Sequence, residues 1–153
     1  MGYDMKVGFT GTQTGMTNQQ YGTVSALMTR MHAEEGHHGD CKGADCQFNR
    51  ICIDLDIPIV VHPPINPAKR GFCAAKNLVH RPKKEYLQRN KDIVDECDIL
   101  IACPKGEKEE LRSGTWSTIR YARKRGIKTV VVYPSGASEY LVDLYNYIGD
   151  LKC

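Results

Sequence analysis

The chain has 153 residues, 41% apolar and 25% charged, with a formal net charge of +3. That length supports one globular core, and the charge is too mild to mark a nucleic-acid binder by itself. No apolar run approaches the roughly 18–20 residues of a membrane span, and seven scattered cysteines without a paired spacing favour free thiols in a reducing compartment.

In chain order, MGYDMKVGFTG runs straight into a strand at Lys6–Thr10, so no secretory leader is expected and the cytoplasm is the expected compartment. The strand ends in the turn GTQTG. Thr17-Asn18-Gln19-Gln20 has the form of a capping box, and a helix follows with Tyr21, Val24, Leu27, Met28 and Met31 on one face and Gly36 placed to end it. A short second strand lies around His37–Gly39. After the turn GDCKGAD, a second helix places Ala44, Phe48, Ile51, Cys52 and Leu55 on one face.

Ile57–His62 is a continuous apolar strand of the kind buried on both faces of a parallel sheet. Residues 63–84 are expected to be an irregular basic loop, with four prolines between Pro63 and Pro82 and no clear period. A third helix follows at Lys83–Glu96, a strand at Asp98–Cys103, a fourth helix at Thr115–Lys124, a strand at Lys128–Tyr133 and a closing helix at Ser138–Ile148. This alternation predicts an α/β fold: one Rossmann-like domain over 1–153, with a five-stranded, mainly parallel sheet and helices on both faces.

In such sheets ligands bind beyond the carboxyl ends of the strands, where helix N-termini direct their free N–H groups. The Gly, Ser, Thr and Asp clusters fall on that edge: GTQTG, GDCKGAD, HPP and PKGEKEELRSGTWST. Glycines allow close backbone approach and hydroxyls add donors, so an anionic, nucleotide-like ligand is expected. Neither GxGxxG nor GxxxxGK[ST] is present, which excludes the standard dinucleotide and P-loop fingerprints.

The blocks GFTGTQTGMT, HHGDCKGAD, IVVHPP, YLQRNKDIVDECDILIACP and SGTWSTIRYARKRGIKTVVV resemble, in order, the SLOG superfamily of Rossmann-like nucleotide-binding proteins. That group includes the LOG phosphoribohydrolases and DNA-processing protein A; the HHGD and SGTW blocks look closest to the YspA/YpsA-like branch. The resemblance implies a nucleotide or nucleotide-derived, ADP-ribose-like ligand and a sensor or sequestering role. It implies contacts from Thr10, Gly11, Thr12 and Gln13, from Gly39, Asp40, Gly43, Ala44 and Asp45, and from Arg89 and Asn90. Pro104, Ser113, Gly114 and Thr115 complete the implied set. Relatives pair through helices flanking the site, so a homo-oligomer is expected.

One departure bears on activity. The LOG motif PGG-x-GT-x-x-E ends in a glutamate that serves cleavage of the N-glycosidic bond. Here Leu111-Arg112-Ser113 replaces PGG and Thr118 stands where the glutamate would be. A threonine cannot ionise to stabilise an oxocarbenium-like centre. Binding is therefore the leading expectation and LOG-like hydrolysis the alternative, with Asp40, Asp45 or Glu110 as replacement carboxylates.

Other residues carry two readings each. Trp116 either stacks on a base or packs against a neighbouring helix. His62 either touches phosphate or is a polar residue at the strand end. The basic loop is expected to be a ligand lid or subunit contact; with Phe72 as its one aromatic among the charges, a nucleic-acid strip is poorly supported. His37, His38, Cys41 and Cys46 include metal-binding types, but successive strand residues point to opposite faces and the spacing matches no zinc pattern. No metal and no separate cofactor are expected.

Overall fold

The computed structural model describes residues 5–141. Seven strands form one sheet: β1 (Met5–Gly11), β2 (Ala33–His38), β3 (Ile59–Val61), β4 (Leu78–His80), β5 (Ile99–Cys103), β6 (Lys128–Val132) and β7 (Ser138–Leu141). Their order across the sheet is β4-β3-β2-β1-β5-β6-β7. All neighbours are parallel except the β6–β7 pair. The chain winds outward from β1 through β4, then crosses back to lay β5 against the other side of β1. The carboxyl ends of β1 and β5 therefore flank the switch point, where a crevice opens in folds of this kind.

Four helices lie among the described residues: α1 (Asn18–Met31), α2 (Ala44–Asp54), α3 (Tyr86–Asp95) and α4 (Gly114–Lys124). Strand alternation separates two cores. Ile99, Ile101 and Cys103 of β5, with Val130 and Val132 of β6, face Val24, Leu27 and Met28 of α1 and Phe48 and Ile51 of α2. Ala102 and Val131 face the opposite way, onto Trp116 and Ile119 of α4. Leu100 meets Val94 of α3 and Ala122 of α4. Phe9 of β1 stacks flat on Phe48, ring centroids 4.5 Å apart, and fixes α2 beside the first strand.

The sheet has two strands more than the five expected. β4 lies inside the segment read as irregular: Ile59 donates to the Asn77 carbonyl and Arg81 to that of Val61. Three residues carry too little periodicity to announce a strand, and it is the partner strand that fixes them. β7 stands where the closing helix was expected to begin. Pro134-Ser135-Gly136-Ala137 reverses the chain, with Tyr133 and Ala137 hydrogen-bonded across the turn, and Ser138–Leu141 returns along β6. The remainder of that expected helix, 142–148, lies outside the described residues.

Several boundaries move. Gly36 does not end α1; His32 does, in the left-handed conformation, and its N–H bonds the Thr29 carbonyl. Gly36 instead lies within β2, which begins at Ala33 and stops before Gly39. α3 starts at Tyr86 rather than Lys83, because Lys84 bridges to Pro64 in extended conformation. The expected capping box at α1 is present: Gln20 N–H donates to Thr17 Oγ1 and Thr17 N–H to Gln20 Oε1.

Candidate functional site

A cavity of about 350 Å³ opens at the switch point, lined by Gly11 at the end of β1, Thr12 and Gln13 after it, Tyr86 of α3, Lys105, Glu110, Arg112 and Ser113 after β5, and Gly114 and Thr115 of α4. Ser113 is the N-cap of α4, its hydroxyl accepting the Trp116 N–H at 3.2 Å. The N–H groups of Gly114 and Thr115 have no carbonyl one turn earlier to bond, and the partial positive charge of the helix start adds to Lys105 and Arg112. Glu110 is the acidic group at the rim, 3.9 Å from Lys105 Nζ.

The glycine after Ser113 is dictated by contact. A Cβ on Gly114 would run into the Tyr86 hydroxyl, so this helix start and α3 close together only over a glycine. Gly43 answers a similar demand. Its φ is +88°, and a Cβ there would overlap the Gln13 carbonyl. The Ala44 N–H donates to the Thr12 carbonyl at 3.0 Å. The turn GDCKGAD thus holds the GTQTG loop in place by its backbone.

Behind the cavity lies a second, water-sized recess of about 10 Å³, lined by Thr10, Gly11, Gln13, Gly39, Asp45, Tyr86, Arg89 and Asn90, among others. Arg89 is buried, stacks 4.8 Å from the Tyr86 ring centroid, and donates to the carbonyls of Gly39 and His62 and to Asn90 Oδ1. Asp45 is buried beside it and accepts the Cys41 N–H at 3.1 Å. Burial raises the Asp45 pKa, opposed by His38, Arg89 and backbone donors.

The structure therefore brings together Thr10, Gly11, Thr12, Gln13, Gly39, Asp45, Arg89, Asn90, Ser113, Gly114 and Thr115 around the two recesses. The other candidates stand elsewhere. Asp40 is fully buried, paired with Arg70 at 2.7 Å and accepting the Cys73 N–H at 2.7 Å. Its carboxylate holds the basic segment onto the fold. Gly43 and Ala44 act through the backbone contacts already described. Pro104 is buried, with its carbonyl accepting from Gln20 Nε2. Trp116 does not line the cavity and does not pack on a neighbouring helix: it lies in the core against Ala102 of β5, Val131 of β6 and Ile119 of its own helix, because its position in α4 turns it onto the sheet. Thr118 is buried and donates its hydroxyl proton to the Gly114 carbonyl.

His62 also turns away from the cavity. Its Nε2 meets His37 Nδ1 at 2.9 Å and its Nδ1 lies 3.6 Å from Glu96, while His37 Nε2 meets Glu35 at 2.9 Å. Two neutral imidazoles carry two N–H protons for these three links, and the long one, at Glu96, is the one without a proton. Burial and then the neighbouring His37 push the His62 pKa down to about 4. Burial lowers His37 as well. Burial would raise Glu96, but the Arg81 hydrogen bonds and the two histidines outweigh it and hold that carboxyl low. Among the described residues His37, His62 and Glu96 are the group whose metal-ligating atoms cluster, within 4.8 Å. Within it the facing imidazole nitrogens bond each other at 2.9 Å, and Glu96 is bound by Arg81 at 2.7 Å. His38, as expected for the next strand residue, points to the other face and bonds Asn49 at 2.8 Å.

Sequence reasoning missed Tyr86, Lys105 and Arg112. Tyr86 was legible as the residue one helical turn before Arg89, hence on the same face. Lys105 and Arg112 stand in the stretch after β5, where attention falls first on the glutamates.

No family model matches the sequence, and none of the curated proteins matches it. Solved structures share the fold. The molybdenum cofactor binding protein from Rippkaea orientalis superposes with a TM-score of 0.64 at 16% identity, over 86% of this chain and 77% of that one. DNA processing protein A from Streptococcus pneumoniae gives 0.63 at 16% identity, over 84% of this chain and 50% of that one. The Helicobacter pylori protein of that name gives 0.55 at 20% identity, over 83% and 64%. At these identities the likeness is one of fold, and the chain spans half to two-thirds of the DNA-processing proteins. The chain carries the fold of these neighbours.

Proposed function

We propose that this chain binds a nucleotide or nucleotide-derived, ADP-ribose-like ligand at the carboxyl edge of the sheet, as a sensor or sequestering module. The observation that carries the reading is the 350 Å³ cavity, where an uncovered helix start, two basic side chains and the hydroxyl-bearing Thr12, Ser113 and Thr115 converge. Phosphate oxygens suit the helix N-terminus with Lys105 and Arg112, and Tyr86 lines the same cavity. A neighbour of this fold that binds molybdenum cofactor supports a small-molecule ligand.

Binding is favoured over cleavage because the cavity lining includes a single carboxylate, Glu110, and Thr118 is engaged within its own helix. Asp45 is the remaining acid close to the recess, and its role in this reading is to order Cys41 and the turn. Calorimetric titration with nucleoside mono-, di- and triphosphates and ADP-ribose is expected to show binding to at least one; heats indistinguishable from dilution across the panel would falsify the reading. Chromatography of the same mixtures is expected to return intact nucleotide, whereas release of free base would make the chain a LOG-like hydrolase.

In this reading the protein acts in the cytoplasm as a homo-oligomer, which light scattering on the purified chain checks. DNA binding is the weaker reading, although a neighbour binds single-stranded DNA. It predicts affinity that falls steeply with salt.

A further inference from the structure

We propose that Cys46 and Cys73 form a thiol-oxidation site, in which a reversible disulfide fastens the basic segment to helix α2. The two Sγ atoms lie 3.3 Å apart, with the Cys73 S–H directed at Cys46. They come from different elements, 27 positions apart: Cys46 from the first turn of α2, Cys73 from the segment between β3 and β4. Both are half-buried, so a small oxidant reaches them, while Cys41, Cys52, Cys97 and Cys103 are buried.

The surroundings hold the pair in register. The Cys73 N–H is fixed on Asp40, and Cys46 Sγ donates to the Cys41 carbonyl at 3.4 Å. Gly71 passes so close that a Cβ there would collide with Cys46 Sγ. Bond formation requires the sulfurs to close from 3.3 Å to about 2.05 Å. Burial raises the pKa of Cys52, Cys97 and Cys103, and burial together with Cys46 and Asp40 raises that of Cys73 as well, so it is geometry and exposure that set the pair apart from the buried thiols.

The oxidant is a hydroperoxide. Cys46, as thiolate, attacks one peroxide oxygen; an S–O bond forms, the O–O bond breaks, and hydroxide leaves to take up a proton as water. Cys73, having lost its proton to that departing hydroxide or to solvent, attacks the sulfenic sulfur. The S–S bond forms, the S–O bond breaks and a second water leaves. Two thiols and one hydrogen peroxide thus give one disulfide and two waters, the two sulfurs supplying both electrons. A dithiol reductant reverses the bond by exchange.

The sequence makes the test unambiguous. Trypsin releases Cys46 in Gly43–Arg50 and Cys73 in Gly71–Lys76, each peptide with a single cysteine. The full chain is reduced, desalted, treated with hydrogen peroxide and alkylated. The expected result is a loss of about 2 Da, these two peptides joined, and reversal by dithiothreitol. In Cys46→Ser and Cys73→Ser variants that peptide pair is absent. Hydrogen exchange of the amides between 66 and 77 is expected to slow in the oxidised form. Joining of other cysteines, or sulfinic acid at Cys46 with no cross-link, overturns the site. A cross-link that leaves the exchange unchanged overturns the fastening of the segment.

Discussion

The segment after β3 and the loop after β5 both leave the carboxyl edge of one sheet, and both carry several basic residues. After β3, Arg70 closes on Asp40, Arg81 on Glu96 and Lys84 on Asp92, at 2.7 Å in each case. Asn49 of α2 reaches across to the Ala74 carbonyl. After β5, Arg112 has no carboxylate partner among the described residues, and Lys105 stands at the edge of contact with Glu110. In the first region Arg70, Arg81 and Lys84 are paired within the fold while Lys69, Lys76 and Lys83 stay exposed without a carboxylate partner among the described residues; in the second, Lys105 and Arg112 line an open cavity. Basic composition therefore says little about ligand contact until the partners of each charge are known.

The largest expected effect comes from breaking the first region. Asp40 is fully buried, and removing it leaves the Arg70 guanidinium nine-tenths buried without its carboxylate. Such losses destabilise by about 3–5 kcal/mol, so Asp40→Ala is expected to lower the urea midpoint sharply. A loss under about 1 kcal/mol, the scale of surface pairs, would remove the distinction between the two regions.

Acid tests the same side of the molecule by another route. His62 is held neutral, with its pKa lowered from 6.5 to about 4. Between those values the unfolded chain binds more protons than the folded one. Stability is therefore full above about pH 6.5 and falls as the pH drops toward 4, by an amount of order 3 kcal/mol. The low Glu96 pKa acts in the same direction at still lower pH. Denaturation curves at pH 7.5, 5.5 and 4.5 check the slope, and a His62→Gln variant is expected to flatten it.

In the second region the effect moves from stability to binding. Lys105→Ala and Arg112→Ala each remove one charge-assisted contact, of about 1.5–3 kcal/mol, so ligand affinity is expected to fall roughly tenfold or more. Both residues are exposed, and their loss is expected to change stability by no more than about 0.5 kcal/mol. Unchanged affinity in the double variant would move the ligand away from this cavity.

What the sequence disclosed follows the same division. Continuous apolar strands such as Ile99–Cys103, and helices with clear spacing such as α1 and α2, were legible because burial imposes their pattern. β4 and β7 were not, since three- and four-residue strands are defined by their neighbours. The glycine turns, and the Arg89–Asn90 pair that the resemblance implied, lie at the two recesses. The separate fates of Asp40 and Asp45 were not legible: both are aspartates beside a glycine turn. One meets Arg70, thirty residues along, and the other faces Arg89 from α3. Trp116 and His62 were ambiguous for the same reason, since strand or helix position does not reveal which partner lies behind the side chain.

The smallest effect separates the two roles of one residue in the open region. Ser113 caps α4 through the Trp116 N–H and also lines the cavity. Ser113→Ala removes the cap and is expected to cost about 1 kcal/mol of stability. Ser113→Asp is as good a cap and suits the helix dipole, so its stability is expected to return to within about 0.5 kcal/mol of the starting protein. At the cavity the same aspartate places a negative charge where the ligand's phosphate is expected, so affinity falls further than in the alanine variant. Urea denaturation and calorimetric titration of the two variants measure both quantities on the same samples. Stability restored while binding is lost is the outcome that an anion seated on the α4 N-terminus requires. If the aspartate variant binds as tightly as the unmodified chain, that helix start holds no anion and the ligand is oriented some other way.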